Sequence, residues 1–185
     1  MSAATNSLAV RPGIWEGLQA RDDEAARTKS IRWHDPAALA AAGSELSGRE
    51  FLKAIIDGQL PPPPIASLIG AELVSIGDGE ALFRSMPDES TYNPIGMVHG
   101  GFLCTLLDSA AGCAVQTLLP AGVGYGTIEI KVSFLKPLRA NSGPIEAHGR
   151  VLRAGRRVAF AEAHARDQDG ELIGHATTSI TLNRP

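Results

Sequence analysis

The amino-acid sequence predicts an α+β fold in which one antiparallel β-sheet wraps a long central α-helix. Short segments of alternating apolar and polar residues, separated by glycine-rich turns, predict the strands of the sheet. One apolar segment of helical length lies between two groups of these strands. With 185 residues, 44% of them hydrophobic and 20% charged, the chain is long enough for one domain with a full core plus an extension.

Residues 1–60 are predicted to form an N-terminal extension, partly helical or loosely ordered, before a folded domain at 61–185. Residues 37–42 favour a helix because alanine has a high helix propensity. Residues 1–43 contain few large apolar side chains, however, and little in them could anchor a core. We therefore expect this part of the chain to be loosely attached.

A stronger helix signal begins at Ser47. Glu50 follows it at the spacing of a capping box. Four large apolar residues then follow at helical spacing, namely Phe51, Leu52, Ile55 and Ile56. Gly58 is expected to end this helix, and prolines 61–64 are expected to form a stiff, extended connector to the sheet.

Six strands are predicted after the prolines. Their ranges are 71–76, 80–85, 126–134, 144–153, 157–166 and 171–182. Turn-forming residues join neighbouring strands at 77–79, 154–156 and 167–170. Alternation in the strand 126–134 places four apolar residues on one face, namely Ile128, Ile130, Val132 and Phe134. The opposite face is expected to carry Thr127, Glu129, Lys131 and Ser133.

The central apolar segment, residues 100–119, is expected to be a helix buried on nearly every side. Asp108 stands in its middle and is the only formally charged residue between Glu89 and Glu129. A buried carboxylate without a cationic neighbour costs several kcal/mol or has a raised pKa. One interpretation is a carboxylate held by hydroxyls, such as that of Thr105, or by a partner chain. The other is the general base or nucleophile of an active site.

The start of this helix is a second candidate feature. The sequence His99-Gly100-Gly101 leads into it, and glycine permits a close backbone approach. Amide N–H groups at a helix N-terminus, together with the helix dipole, suit a developing oxyanion. The alternative interpretation is a tight turn that needs glycine, with a structural His99 and with Asn93 only bracing the loop.

Gly100 and Asp108 are too far apart to act on one carbonyl from the same chain. Eight residues of α-helix separate them, which is about 12 Å along the axis. If both are catalytic, two helices must contribute to each site, one from each protomer. An antiparallel pair of helices across a twofold axis would provide two equivalent sites.

The residues from Asn93 to Asp108 resemble those of hotdog-fold acyl-CoA thioesterases of the phenylacetate-pathway (PaaI-like) type. The shared pattern is Asn93, Gly96, His99-Gly100-Gly101 and Asp108, followed by a strand that opens with a small hydroxyl residue, Thr127. The resemblance covers about residues 63–182. It implies a hotdog fold, with a five- or six-stranded antiparallel sheet around the helix, and homodimers or homotetramers with sites at the dimer interface. It also implies hydrolysis of acyl-CoA to free acid and CoA, without a metal or a cofactor other than the CoA of the substrate.

The resemblance also implies a role for each of these residues. Asp108 would activate water or attack the thioester directly, and the sequence does not separate these two mechanisms. The Gly100 amide would polarise the thioester carbonyl. Asn93 and Thr127 would orient the water or the carboxylate, and His99 would shape the oxyanion loop.

Further residues are candidates for substrate binding. Those expected near the acyl group are Gly101, Met97 and Phe83. Arginine side chains in one hairpin suit the phosphates of CoA, and the hairpin carries Arg150, Arg153, Arg156 and Arg157. The alternative for these arginines is a solvated hairpin tip.

Composition argues against several other functions. A net charge of −3 disfavours nucleic-acid binding, and no apolar run approaches the length that spans a membrane. No secretory signal is visible, and Cys104 and Cys113 are too far apart for a disulfide, so a cytoplasmic location is expected. The sequence contains no Gly-x-Ser-x-Gly elbow, which disfavours a serine hydrolase. A non-catalytic acyl-CoA sensor and a hotdog-fold acyl-CoA hydratase are the open alternatives.

Overall fold

Four α-helices and six β-strands make up the computed structural model, which describes residues 26–184. The helices are α1 (Pro36–Glu45), α2 (Gly48–Ile56), α3 (Pro64–Ile69) and α4 (Gly100–Gln116). The strands are β1 (Ala71–Ile76), β2 (Glu80–Ser85), β3 (Gly124–Phe134), β4 (Ile145–Ala154), β5 (Val158–Arg166) and β6 (Leu172–Asn183). No helix in this part of the chain is both long and apolar enough to cross a membrane.

All six strands form one antiparallel sheet in the order β1-β2-β4-β5-β6-β3. The long helix α4 packs across one face of the sheet and contacts the strands from β2 to β3. This arrangement confirms the predicted α+β fold with a central helix. It also leaves β3, a strand of 11 residues, at one edge of the sheet.

Small residues let α4 lie very close to the sheet. A Cβ atom on Gly149 of β4 would stand 2.1 Å from the carbonyl oxygen of Ala110, so only glycine fits there. The strand faces toward the helix carry several fully buried alanines, while Leu106 and Leu107 of α4 are completely buried between them. Burying each leucine contributes about 1.5–3 kcal/mol to folding.

The helices before the sheet are packed more firmly than the sequence suggests. The predicted capping box is present: the Ser47 hydroxyl accepts a hydrogen bond from the Glu50 amide, and the Glu50 carboxylate accepts one from the Ser47 amide. Leu52 is 2% exposed and belongs to the main core. The compact unit that contains the sheet begins at Ile31, so α1 and α2 belong to it. Residues 1–25 lie outside the described part of the chain.

The interpretation of 61–64 as a connector is correct only as far as Pro63. Pro64 is the first residue of α3, a helix that the sequence analysis did not predict. Proline is accepted at the first position of a helix because its missing N–H would have no partner there and its φ suits a helix. Gly70 ends α3 in the left-handed conformation.

A β-bulge in β3 overturns the predicted alternation of this strand. Thr127 pairs with Ile180, but the next pair joins Glu129 to Ser179, so Ile128 is an additional residue. The bulge turns Thr127 toward α4, on the same face as Ile130 and Val132. The expectation that Thr127 shares a face with Glu129 is therefore wrong, and Ile128 is instead 58% exposed.

Helix α4 is less buried than the sequence analysis expected, which was burial on nearly every side. It ends at Gln116, three residues earlier than predicted, and it has one open face. This open face consists of residues that are exposed or half-buried: Gly101, Cys104, Thr105, Asp108, Ser109, Cys113 and Gln116. Their spacing of three and four residues makes one continuous stripe along the helix.

Candidate active site

Asp108 lies at the middle of the open face of α4 and is half-buried, not fully buried as predicted. The Thr127 hydroxyl donates a hydrogen bond of 2.8 Å to Asp108 Oδ1. Thr105 does not hold the carboxylate, because its hydroxyl donates to the Gly101 carbonyl instead. Within residues 26–184, no cation pairs with Asp108 and no donor bonds its other oxygen, Oδ2. One carboxylate oxygen is therefore held while the other is available.

The negative charge of Asp108 affects the ionisable groups around it. Burial raises the pKa of the Cys104 thiol, and the Asp108 carboxylate raises it further. Burial raises the pKa of the Cys113 thiol to about 12; the interaction with the Tyr125 hydroxyl opposes this rise, and the Asp108 charge adds a smaller contribution to it. Both cysteines are therefore neutral thiols at neutral pH and not candidates for a nucleophilic thiolate.

The start of α4 presents one free amide. His99 is the N-cap, and its Nδ1 accepts a hydrogen bond of 2.8 Å from the Gly101 amide. The Phe102 amide donates to the His99 carbonyl. The Gly100 amide has no acceptor among the described residues. Of the two glycines, Gly100 is thus the one that can donate to a substrate oxygen, and His99 holds the loop that positions it.

Asn93 stabilises the loop before the helix. Its side-chain oxygen accepts hydrogen bonds from the backbone amides of Ile95 and Met97, and its backbone amide donates to the Met97 carbonyl. Gly96 has φ of +76°, a conformation that favours glycine in this loop. Asn93 therefore closes a turn that presents the Gly100 amide.

A cavity of about 450 Å³, here called the Gly100 cavity, opens beside this amide. Its walls include Asn93, Met97, His99, Leu103 and Phe134. The Phe134 ring packs directly on Gly100, where an added Cβ would stand 3.0 Å from it. The structure thus brings four of the predicted site residues together around one cavity, namely Asn93, Met97, His99 and Gly100.

Phe83 lies in a different place. It lines a second cavity of about 280 Å³ between helices α1–α3, strands β1 and β2, and the C-terminal half of α4. This is called the N-terminal cavity below. Sequence analysis grouped Phe83 with Met97, but within one chain the two residues line separate cavities.

The predicted arginines are only partly brought together. Arg156 and Arg157 line a shallow cavity of about 680 Å³ together with Arg184, which the sequence analysis missed. None of these three has a carboxylate partner among residues 26–184. Arg153 is exposed but does not line this cavity. Sequence analysis could have found Arg184 because it follows the last strand, and that strand returns beside the hairpin that carries Arg156. The Arg184 side chain donates a hydrogen bond to the Arg156 carbonyl.

Comparisons with known proteins agree with this architecture. The family model of the thioesterase superfamily matches residues 95–173. A protein of Halobacterium salinarum described as a presumed esterase is 35% identical to this chain over 114 residues. The match covers 59% of this chain and 74% of that protein. The chain belongs to the thioesterase superfamily. It is an enzyme, a thioester hydrolase with the hotdog fold.

Two further similar proteins bear on the type of thioesterase. The medium/long-chain acyl-CoA thioesterase of Salmonella typhimurium is 32% identical over 99 residues, which are 46% of this chain and 63% of that protein. A phenylacetic acid degradation-related protein of Ralstonia eutropha, described as a presumed thioesterase, has a TM-score of 0.65 and 27% identity. That likeness covers 70% of this chain and 98% of the other. The resemblance to the PaaI-like type is confirmed, and it favours a hydrolase over the sensor and hydratase alternatives.

Proposed function

We propose that this thioesterase hydrolyses acyl-CoA to free acid and CoA at sites shared by two protomers. Asp108 of one protomer and the Gly100 amide of the other would act on each thioester carbonyl. The observation that carries the proposal is that these groups, each with free hydrogen-bonding capacity, lie about 12 Å apart on one continuous helix. Neither needs a metal or an additional cofactor to perform its part.

The exposed edge of the sheet supports a homodimer. Strand β3 has no neighbour on its outer side within the described chain, and unpaired edges of this length invite pairing with another strand. The open face of α4 lies next to this strand, since Asp108 on that face accepts a hydrogen bond from Thr127 of β3. Antiparallel pairing of two β3 strands would continue the sheet and place two α4 helices side by side in opposite directions. A homotetramer would consist of two such dimers.

The contacts of Asp108 suit either mechanism of hydrolysis. Thr127 holds Oδ1, which leaves Oδ2 to accept a proton from water or to attack the carbonyl carbon. In the first case, water adds to the carbonyl as its proton passes to Asp108. The Gly100 amide then stabilises the oxyanion, and the C–S bond breaks to release CoA thiolate, which is protonated. In the second, Asp108 Oδ2 bonds to the carbonyl carbon, the C–S bond breaks to release CoA thiolate and an anhydride remains on Asp108. Water then hydrolyses this anhydride to the free acid and regenerates the Asp108 carboxylate.

Arg156 and Arg157, with Arg184, are the proposed contacts of the CoA phosphates. Their guanidinium groups form a cluster without carboxylate partners in the described chain, and guanidinium suits phosphate oxygens. Arg150, in contrast, is occupied by an ion pair of 2.6 Å with Glu162. Arg153 lies outside this cluster and serves as a reference position.

Mixed dimers test the shared site. Gly100→Pro removes the amide hydrogen at the first helical position, where the backbone suits proline and where His99 already has the extended conformation that precedes proline. The Phe134 ring must move to admit the proline ring, so thermal unfolding of this variant accompanies the assay. We expect Gly100→Pro and Asp108→Asn homodimers both to be inactive in thiol release from acyl-CoA. A dimer with one chain of each kind would regain one intact site and therefore activity.

The controls separate the alternatives. Mixed dimers of Asp108→Asn with itself, carrying the same two affinity tags, account for any effect of mixing. No gain of activity in the Asp108→Asn/Gly100→Pro dimer would overturn the shared site. An absence of thiol release by the wild type across aryl-, short- and medium-chain acyl-CoAs would overturn the acyl-CoA hydrolase itself.

A further inference from the structure

The N-terminal cavity is lined almost entirely by apolar groups. No charged side chain lines it. Only two of its residues, Gln116 and Tyr125, have an amide or hydroxyl group, and these bond each other, since the Tyr125 hydroxyl donates to Gln116 Oε1 at 3.1 Å. A cavity of this kind favours an uncharged, apolar occupant, because a polar one would lose its hydrogen bonds to water without replacement.

The N-terminal cavity begins about one helical turn from Asp108. Tyr125 precedes Thr127 by two residues on β3, so both side chains face α4. The Tyr125 ring lies against Gly112, where an added Cβ would stand 3.2 Å from it. Gly112 is four residues after Asp108, about 6 Å along the helix. Tyr125 therefore lines the end of the cavity that is nearest to the candidate catalytic carboxylate.

The wall opposite α4 comes from the segment before the sheet. Leu39 of α1, Phe51 and Leu52 of α2, and Ala66 of α3 all line the cavity. Leu39 is the one buried residue of α1, and Ala66 is the one buried residue of α3. These helices thus place their most buried side chains at the cavity, although they lie outside the region matched by the family model.

We propose that the N-terminal cavity receives the apolar acyl group of the substrate and that helices α1–α3 select its length. This inference rests on the proposed function, since it takes the thioester carbonyl to lie at Asp108. From there an acyl chain would run along α4 to Gln116, a distance of about 12 Å that a medium-length chain spans. The substrate class is therefore acyl-CoA with an uncharged aliphatic or aryl group, and not one with a carboxylate at its far end.

Two variants that each introduce a phenylalanine into α3 test the selection. Ala66→Phe adds a ring inside the cavity, whereas Leu68→Phe changes a 52% exposed residue of the same helix that does not line it. We expect Ala66→Phe to lower kcat/KM for decanoyl-CoA at least about tenfold more than for butanoyl-CoA. Leu68→Phe should keep the wild-type ratio. Equal losses for both substrates in a folded Ala66→Phe protein would overturn the proposal.

An enlarging variant covers the case in which Ala66→Phe does not fold. Phe51→Ala removes a ring from the cavity wall and should shift the preference toward longer acyl chains. A preference that is unchanged or shifts toward shorter chains would contradict the role of α2. Thermal unfolding of each variant shows whether it is folded.

Binding separates this inference from the proposed function. Calorimetric titration of Asp108→Asn with decanoyl-CoA and butanoyl-CoA measures the contribution of chain length without turnover. If the wild type hydrolyses no acyl-CoA but the longer chain still binds more tightly, and Ala66→Phe abolishes that difference, the cavity is supported and the hydrolase is not. If hydrolysis occurs and chain length affects neither binding nor kcat/KM, the cavity assignment fails alone.

Discussion

On the sheet side of α4, backbone meets backbone: an added Cβ on Gly149 would stand 2.1 Å from the Ala110 carbonyl oxygen. On the opposite side, the helix carries small and polar residues that no other part of the described chain covers fully, with Asp108 among them. The closed face cannot accept an added atom without moving the helix. The open face holds a carboxylate that a closed face could not accommodate. The difference shows that stability and chemistry are divided between the two faces of a single helix.

The largest effect is expected from adding one methyl group to the closed face. Gly149→Ala forces the helix and sheet apart and should lower the free energy of unfolding by about 3 kcal/mol or more, because the added atom meets backbone and not a flexible side chain. Urea unfolding measures this change. Gly124→Ala is the matched control, since its Cβ would have ordinary contacts at 3.8 Å. Equal stability of the two variants would show that the faces do not differ in this way.

On the open face, a large effect is expected on catalytic turnover and not on stability. Asp108→Asn keeps the size of the side chain and an acceptor for Thr127 but removes the base or nucleophile. Turnover should fall at least about a hundredfold while the unfolding free energy changes little. Thr127→Val, which removes the hydroxyl that holds Asp108, should lower turnover less, by about tenfold.

Asp169→Asn, the same change in an exposed turn, is the control for Asp108→Asn. Thiol release and urea unfolding are measured on all three variants. Substantial turnover by folded Asp108→Asn would show that Asp108 is neither the base nor the nucleophile. The open face of α4 would then not be the face that carries the chemistry.

The smallest effect is expected away from both faces, at the arginine cluster. Arg156→Ala and Arg157→Ala should raise KM for acyl-CoA about fivefold each with little change in kcat, because the phosphates bind equally in the ground and transition states. Arg153→Ala, outside the cluster, should have less effect. Steady-state kinetics with acyl-CoA and with its 3′-dephospho analogue measure this. A fall in kcat with unchanged KM would contradict a role in binding phosphate.

Local patterns were enough to predict much of the fold. The capping box at Ser47, the turn around Gly79 and the helix start at Gly100 depend on contacts within a few residues, and each appears in the structure. The presence of Asp108 as the one charged residue in the central helix was also visible in the sequence. Such features follow from short-range chemistry, which an ordered list of residues contains.

Other features depend on residues far apart in the chain. The bulge at Ile128, which turns Thr127 toward Asp108, exists because β3 pairs with β6 in one particular register. The N-terminal cavity needs Phe51, Ala66 and Tyr125 to meet, and these come from three separate elements. The open face of α4 was invisible in its composition, since a helix can be apolar on all sides and still lack a neighbour on one.

The sequence by itself therefore determined the six strands and every helix except α3, where the helix of the site begins and which carboxylate it carries. The tertiary structure decided which way Thr127 points and which helices close the cavity beside Tyr125. The reason is physical: propensities, caps and turns are local free energies, whereas register, burial and cavity shape are set by packing between segments that the sequence does not place side by side.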